Sequence, residues 1–530
     1  MENENTEFDV IVIGAGINGA GIARDAAMRG LSVLLVDKGD IGGGTSSWST
    51  RLIHGGLRYL EHGEFGLVRE SLRERETLLK VAAHLVRPLP LLVPVYKQAR
   101  RGLWTIRAGM ITYDALSLNK SLPHHRMLSP AQTLREIPAL EPGGLLGAAV
   151  YSDAAVEFAE RLVLENVLSA VEHGATMITY ARVEKLLVNK GKVSGIESTN
   201  YRGGETRFTR GTIVINAAGP WVDQVLKSDS GNPPRLIGGT KGSHIVVAPF
   251  AGAPHTAMYV EAEIDGRPFF IIPWNNKYLI GTTDIRYEGD LDQVHIESDE
   301  INYLLHETNR VIPSANLTRE HILFAYSGVR PLPFTTDADE QKITRRHFIR
   351  AHPELDNLFS IVGGKLTTYR SLAEQTVDAV FRKLGRTSPE CKTDREPLPG
   401  AVTPDFAAFC QDFKQRSPLS AATNDRLLSI YGTRVALIAE TIQEEQSLAE
   451  VLDRETGAVA AEIVFAFEHE FAKTLSDCLL RRTMVGFNST CGINAVAAAA
   501  ATAHKYLGWS DDRVKSEIRE YRNEVQRLRF

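Results

Sequence analysis

Two polar clusters in the 530-residue chain have the residue types for chemistry. His54, Arg58 and Tyr59 stand in the segment 51–60, where Gly55 and Gly56 let backbone approach a planar group closely. Imidazole exchanges protons near neutral pH, although a single histidine is more often a satisfied structural side chain; Arg58 and Tyr59 beside it favour a site. His244, at the head of the strand-like run KGSHIVV, carries the same two readings. The second cluster is cationic. Arg330 lies in YSGVRPLP, which reads as a turn pinned by glycine and proline, and Arg345 belongs to the basic run ITRRH. A guanidinium fork suits phosphate or carboxylate, with a surface ion pair as the plainer role. Further on, Gly363 and Gly364 precede Lys365, Leu366 and Thr367 at a predicted helix start. That gathers free amides, a helix N-terminus and an ammonium where an anionic ring edge would need donors. A glycine helix cap is the plainer reading there.

The elements that must position these groups begin with Phe8 to Asp37. Val10 to Ile13 is a short β-branched run, Ile17 to Arg29 has small and apolar residues at helical spacing, and Val33 to Val36 is a second strand. Between the first strand and the helix, Gly14 permits a tight turn, Gly16 admits a pyrophosphate, Gly19 allows close helix packing, and Asn18 lies among them. Asp37 stands where an acid meets a ribose hydroxyl. The unit predicts a dinucleotide site and does not choose between nicotinamide and flavin. The glycine-rich loop that follows carries Thr45, Ser46 and Ser47, whose hydroxyls could line the cofactor. The run 211–221 repeats the same grammar, a strand ending in small residues that include Ala217 and Gly219. Together with the 363–370 segment it supplies what a bound isoalloxazine would need, which turns the reading towards FAD.

Length implies two or three domains. The predicted architecture is α/β: a Rossmann-like FAD-binding domain, an antiparallel-sheet substrate domain and a C-terminal α-helical domain. The expected boundaries are 1–90 for the first part of the FAD domain, 91–150 for a basic insertion that could associate with a membrane, and 151–230 for the second part. They continue with 231–325 for the substrate domain, 326–390 for closure of the site, and 391–530 for the helical domain. Helices are expected over 64–81, 156–170, 298–311, 495–505 and 511–528, with the proline-rich 87–94 stretch ending the first of them. Strands are expected over 241–247, 269–274 and 278–283, the last two joined as a hairpin. The run CLLRRT at 478–483 is the most distinctive element of the helical region, and no catalytic task follows from it.

Apolar content of 43% and charged content of 24% belong to a globular protein. No run of about 18 apolar residues offers a spanning helix, and the acidic N-terminus lacks the pattern of a secretory signal, so a cytoplasmic protein is expected. The four cysteines lack metal-binding spacings and read as reduced and structural; no metal is expected. Net charge is −5, unevenly spread: residues 77–135 hold nine bases and one acid, Asp114. Within that stretch, 96–115 interleaves bases with Trp104, Ile106, Met110, Ile111 and Tyr113. Such a surface could lie on an anionic bilayer, could be a solvated basic face, or could steer an anionic substrate. Nucleic acid is not expected, because no recognition motif accompanies the charge.

In order, GAGINGAGIARDAAMRG, SSWSTRLIHGGLRYLEHGEF, NAAGPWV, KGSHIVV, IIPW, IGTTD, YSGVRPL, VGGKLTTYR and LLRRT resemble the aerobic FAD-dependent glycerol-3-phosphate dehydrogenase family, from about residue 8 to 485. The closing helices match only in character. The resemblance implies oxidation of sn-glycerol 3-phosphate to dihydroxyacetone phosphate, with electrons passing through FAD to a membrane quinone. It places the glycine opening on Gly14, Gly16 and Gly19, a substrate-site arginine and tyrosine on Arg58 and Tyr59, and phosphate and polyol contacts on Arg330, Arg345 and Lys365. The long insertion of some oxidase members is not seen, which disfavours oxygen as acceptor. Hydride would pass from C2 to flavin N5 while His54 or His244 takes the hydroxyl proton, with the arginines and Lys365 fixing the phosphate. The expected setting is the inner face of the cell membrane, peripherally bound, and a homodimer is an expected assembly. A soluble glycerol-3-phosphate oxidase, a related flavin amine or amino-acid oxidase and a non-catalytic flavin sensor are the alternatives.

Overall fold

In the computed structural model, which describes residues 7–117, 120–227, 235–336 and 343–530, the opening unit forms as its pattern demands. The strand Glu7–Ile13, the helix Ile17–Met28 and the strand Val33–Val36 make one βαβ crossover. The first strand is central to an eight-stranded sheet, parallel to Val33–Val36 on one side and to Thr206–Asn216 on the other. Leu358–Val362 continues the parallel set beyond Thr206–Asn216, and Thr176–Ile178 continues it beyond Val33–Val36. Parallel strands need cover on both faces, and alternate residues supply it. Val10 and Val12 pack with the helices Ile17–Met28, Ala159–Glu172 and Tyr369–Leu384. Ile11 and Ile13 pack under the hairpin Ala181–Asn189 and Lys192–Asn200.

The second sheet has ten strands and is antiparallel except where Ala257–Glu261 meets Val86–Tyr96. Its middle runs Thr240–Val247, Lys277–Gly281, Pro268–Trp274, Ala257–Glu261, Val86–Tyr96 and Leu145–Val156, with Ile322–Arg330 paired to Thr240–Val247. The expected hairpin is present: Asn275 and Asn276 take left-handed φ values of 49° and 56° between its strands. The helix Ser298–Val311 covers one face with Ile301, Leu304 and Val311.

Four expectations change here. The proline-rich stretch after residue 86 is not a terminator but an eleven-residue strand, Val86–Tyr96. Its prolines fall at alternate positions, 88, 90 and 94, so the amides they lack all belong to one edge, and the pairing with Leu145–Val156 persists from end to end. Boundaries at 90, 150 and 325 therefore cut strands of one sheet, and 91–150 is flanked by two of its members rather than inserted as a separate unit. Val156 closes the strand Leu145–Val156, which delays the next helix to Ala159–Glu172. Arg330 is the last residue of a nine-residue strand, not part of a turn, so sheet pairing fixes its backbone.

The C-terminal region contains the expected helices, observed as Val496–Leu507 and Asp511–Glu524 with a 3₁₀ turn Val525–Leu528, and an unexpected small hairpin at 451–459. It is docked firmly. One apolar cluster runs from Leu91, Tyr151 and Trp274 of the second sheet into Phe465, Leu479 and Phe487 of the helices. All four cysteines are free, with Cys478 and Cys491 buried.

Candidate functional site

A cavity of about 870 Å³ opens along the carboxyl ends of the parallel strands and continues under the second sheet. At its dinucleotide end the constraint is backbone. Gly14 has φ of 106°, and a Cβ there would lie 2.7 Å from the Ala217 carbonyl oxygen; one on Gly19 would lie 1.8 Å from that of Gly14. Gly16 caps the helix without any side-chain bond, so first-turn amides face the cavity. Ser46 Oγ accepts from the Ile17 amide at 3.0 Å, and Thr45 Oγ1 donates to the Val329 carbonyl at 2.7 Å, tying the loop to both domains. Asp37 lines the cavity and accepts from the amides of Ala15 (2.6 Å) and Gly39 (2.8 Å); burial raises its carboxyl against those two bonds.

Gly219 and Ala217 line the same end, and Gly364, Lys365, Leu366 and Thr367 line the far one. Three expected residues stand back from the cavity, Arg58 among them. Gly19 serves helix packing, and Ser47 turns inward to donate to the Gly42 carbonyl at 2.6 Å. Asn18 bridges the ends: its Nδ2 donates to the Gly363 carbonyl at 3.3 Å, while its buried Oδ1 has no partner and is an acceptor a ligand could satisfy. An uncapped helix N-terminus, a glycine cradle, an unspent acceptor and a cavity within the roughly 300–1,000 Å³ of ligand sites fit a dinucleotide the size of FAD.

The substrate end gathers residues distant in sequence. Lys365 Nζ donates to Ser71 Oγ at 2.6 Å and lies 4.6 Å from the centre of the Tyr59 ring; burial lowers its ammonium to about 7. Glu70 and Glu64 act against that fall. His54 is set by its amide, which donates to Thr367 Oγ1 at 3.1 Å, and its imidazole is lowered to about 3 by burial and by Lys365. Burial raises Tyr59.

Beyond them lies one carboxylate among arginines. Arg330 donates to Asp284 Oδ1 at 3.0 Å and Arg345 to Oδ2 at 2.9 Å, while Arg267 donates to the Asp284 carbonyl. Arg58 feels Arg345, Asp284 and Arg267, and burial lowers both it and Arg330. Although burial pushes the Asp284 carboxyl up, Arg330, Arg345 and Arg267 hold it below its ordinary value. Buried Nη1 of Arg345 has no hydrogen-bond partner, and Nε of Arg267 faces Asp265 Oδ2 at 3.6 Å without a hydrogen bond. Arg330 and Arg345 share this one carboxylate, which leaves a local excess of positive charge that a phosphate dianion can fill.

His244 is built differently. Its ring stacks on Tyr326 with centroids 4.9 Å apart, its Nε2 meets Thr50 Oγ1 at 2.9 Å, and its buried Nδ1 has no partner. Burial, then Arg330 and Arg51, keep it well below the usual histidine range, so it stands neutral and already engaged.

Three groups escaped the sequence. Arg267 and Asp284 lie 63 and 46 residues before Arg330, and only the sheet unites them, although Asp284 closes the distinctive IGTTD run. Ser71 was hidden as one position of an amphipathic helix. The cavity wall also includes Ser476 and Arg527 from the helical region, for which no local signal existed, and Arg481, which stood out only as part of a motif with no task.

Comparison with known proteins agrees with this layout. Residues 9–374 match a family described as FAD dependent oxidoreductase, and residues 391–514 match the C-terminal domain of alpha-glycerophosphate oxidase. A glycerol-3-phosphate dehydrogenase of Synechocystis sp. is 49% identical over 98% of this chain and 96% of that protein. A D-erythritol 1-phosphate dehydrogenase of Brucella abortus is 38% identical over 90% and 94%. The structure of the Bacillus halodurans glycerol-3-phosphate dehydrogenase complexed with FAD superposes with a TM-score of 0.80 at 28% identity, covering 99% of this chain and 96% of that one.

Proposed function

Because the chain belongs to the FAD-dependent glycerol-3-phosphate dehydrogenase family, we propose that it oxidises sn-glycerol 3-phosphate to dihydroxyacetone phosphate. The observation that carries the reading is that Arg330 and Arg345, both on Asp284, line the same cavity as the glycine cradle. Arg330 and Arg345, with Arg58 and Arg267 behind them, grip the phosphate and so fix where the C2 hydroxyl lies, which is catalysis by orientation. Lys365 and Tyr59 bound the polyol. FAD, when bound, supplies the acceptor for the hydride that leaves C2. His54 is the proton acceptor on position: it lines the cavity and makes no side-chain hydrogen bond among the described residues, although burial and Lys365 lower it to about 3 and weaken it as a base, whereas His244 is committed to Thr50 and holds the wall. Anaerobic addition of glycerol 3-phosphate to the yellow protein is expected to bleach the flavin. Faster bleaching by D-erythritol 1-phosphate, or none by either, would overturn this substrate.

The electron acceptor is proposed to be a quinone reached from an anionic bilayer surface. The helix Leu103–Leu116 buries Ile106, Met110 and Tyr113, yet its outer side is also apolar, with Trp104 78% and Ile111 54% exposed. A helix apolar on two sides wants a second cover. Lys97, Arg100 and Arg107 lie exposed beside it, whereas Arg101 is spent on Glu61 and Glu261. No helix among the described residues is long and apolar enough to cross a membrane, so the proposed attachment is peripheral. Liposomes containing anionic lipid should sediment the protein, and a Trp104→Ser, Ile111→Ser variant that sediments equally well would refute this face. Peroxide produced at the rate of turnover would instead favour oxygen as acceptor.

A further inference from the structure

The helical domain holds three residues of the cavity wall, and each hold is specific. Asp40 follows Asp37 in the loop that lines the cavity, and its side chain is buried. Arg482 grips it with both terminal nitrogens, at 2.7 and 2.8 Å, and Arg481 Nε adds a third bond at 2.5 Å. Burial raises that carboxyl, but Arg482 and Arg481 outweigh it and hold it below its ordinary value. Both arginines project from one π-helical turn, Cys478–Arg482, a rare geometry associated with functional positions. Tyr180, on the wall beside Asp37, takes a left-handed φ of 59° and donates to Asp477 Oδ1 at 2.5 Å, the atom that also receives Arg481 Nη2 at 2.8 Å. Arg202, a third wall residue, pairs with Glu517 at 3.0 Å, whose other oxygen accepts from the Leu475 amide at 2.8 Å. The closing turn then lays Arg527 over the Trp48 ring at 4.7 Å, with its Nε buried and unpartnered.

We propose that the C-terminal domain is a latch on the cofactor: its contacts to Asp40, Tyr180 and Arg202 close the Asp37 end of the cavity, and FAD leaves only when they open. The domain has no part in the proton or hydride step. Its residues are positioning residues, acting through the loop and hairpin that meet the dinucleotide. Without the domain, the 37–50 loop would lose both buried ion pairs to Asp40, and the long cavity would be open along one side.

The test is the rate of FAD release from the full-length holoenzyme, read as flavin fluorescence after dilution into FAD-free buffer, with far-UV circular dichroism recorded alongside. Asp40→Asn should release FAD about tenfold faster while the dichroism signal holds, because contact losses act chiefly on dissociation rates. Tyr180→Phe and Glu517→Gln each cut one tie without leaving a buried charge cluster bare, and each should accelerate release about threefold. They decide the matter if Asp40→Asn does not fold. Release at the parental rate in both folded variants would overturn the latch. No substrate enters the measurement, so its failure would leave the glycerol 3-phosphate reading untouched, and failure of substrate to bleach the flavin would leave the latch standing.

Discussion

Two regions of the molecule are built on buried or half-buried arginines, and they differ in how many carboxylates each arginine has. Under the C-terminal domain the charges are matched. Arg161 forks onto Glu470 at 2.6 and 2.8 Å, Arg434 joins the same carboxylate, Arg426 forks onto Glu462, and Asp40 and Asp477 serve Arg481 and Arg482. Around Asp284, Arg330 and Arg345 share one side chain, Arg267 donates to its carbonyl while pairing with Asp265 at 3.6 Å, and the buried Nη1 of Arg345 makes no hydrogen bond. Matched arginines are scaffold; arginines in excess beside a cavity are a binding site. Chemistry of the side chain alone does not separate the two roles, since both use the same donor geometry.

The largest effect that would break this distinction is at Arg330. Arg330→Gln removes a fixed fork from the substrate site, and truncating one partner of a buried charged contact costs about 2–5 kcal/mol, so kcat/KM for glycerol 3-phosphate should fall about a thousandfold. Thermal stability should fall less than kcat/KM, because burial already disfavours the Arg330 charge and Asp284 keeps Arg345 at 2.9 Å. A large fall in Tm with kcat/KM preserved would make the Asp284 cluster scaffold after all.

Arg161→Met should behave in the opposite way. It leaves Glu470, held at about 2 against burial by Arg161 and Arg434, with a weakened buried charge balance. Breaking such a pair costs about 3–5 kcal/mol of stability. Denaturant midpoints should report that loss while KM stays at the parental value. A raised KM with unchanged stability would place Arg161 in the site.

This contrast also explains what could be read from the chain beforehand. The glycine cradle was legible because a βαβ unit packs its turn, helix and acid into 30 consecutive residues, each with a local signature. Arg330 and Lys365 were legible as cations beside glycine or proline and Arg345 as part of a basic run, but not their stoichiometry: the acid that counts is Asp284, and the uncounted arginine is Arg267, joined to it across sheet strands. The proline strand Val86–Tyr96 was misread because proline was taken as a stop, when its alternate spacing is compatible with one edge of a strand. Arg481 and Arg482 stood out as a motif with no task, since their partner Asp40 lies more than 440 residues away.

The smallest effect bears on Lys365, the one cation of the substrate end whose charge is poised. Its ammonium is lowered to about 7, chiefly by burial, so it is charged below that pH and neutral above it. The substrate phosphate, with a second pKa near 6, is already a dianion over most of this range. If Lys365 assists anion binding, kcat/KM must decline as pH rises through about 7, by roughly tenfold between pH 6.5 and 8.5, because that profile reports groups of the free enzyme. His54, lowered to about 3, remains neutral throughout and adds no limb of its own. Lys365→Met should flatten the decline and leave the low-pH value reduced. A profile that rises through pH 7 in the parent and flattens in the variant would instead make the neutral amine the base, moving Lys365 from a cation that bounds the polyol of the anionic substrate to the group that takes the proton.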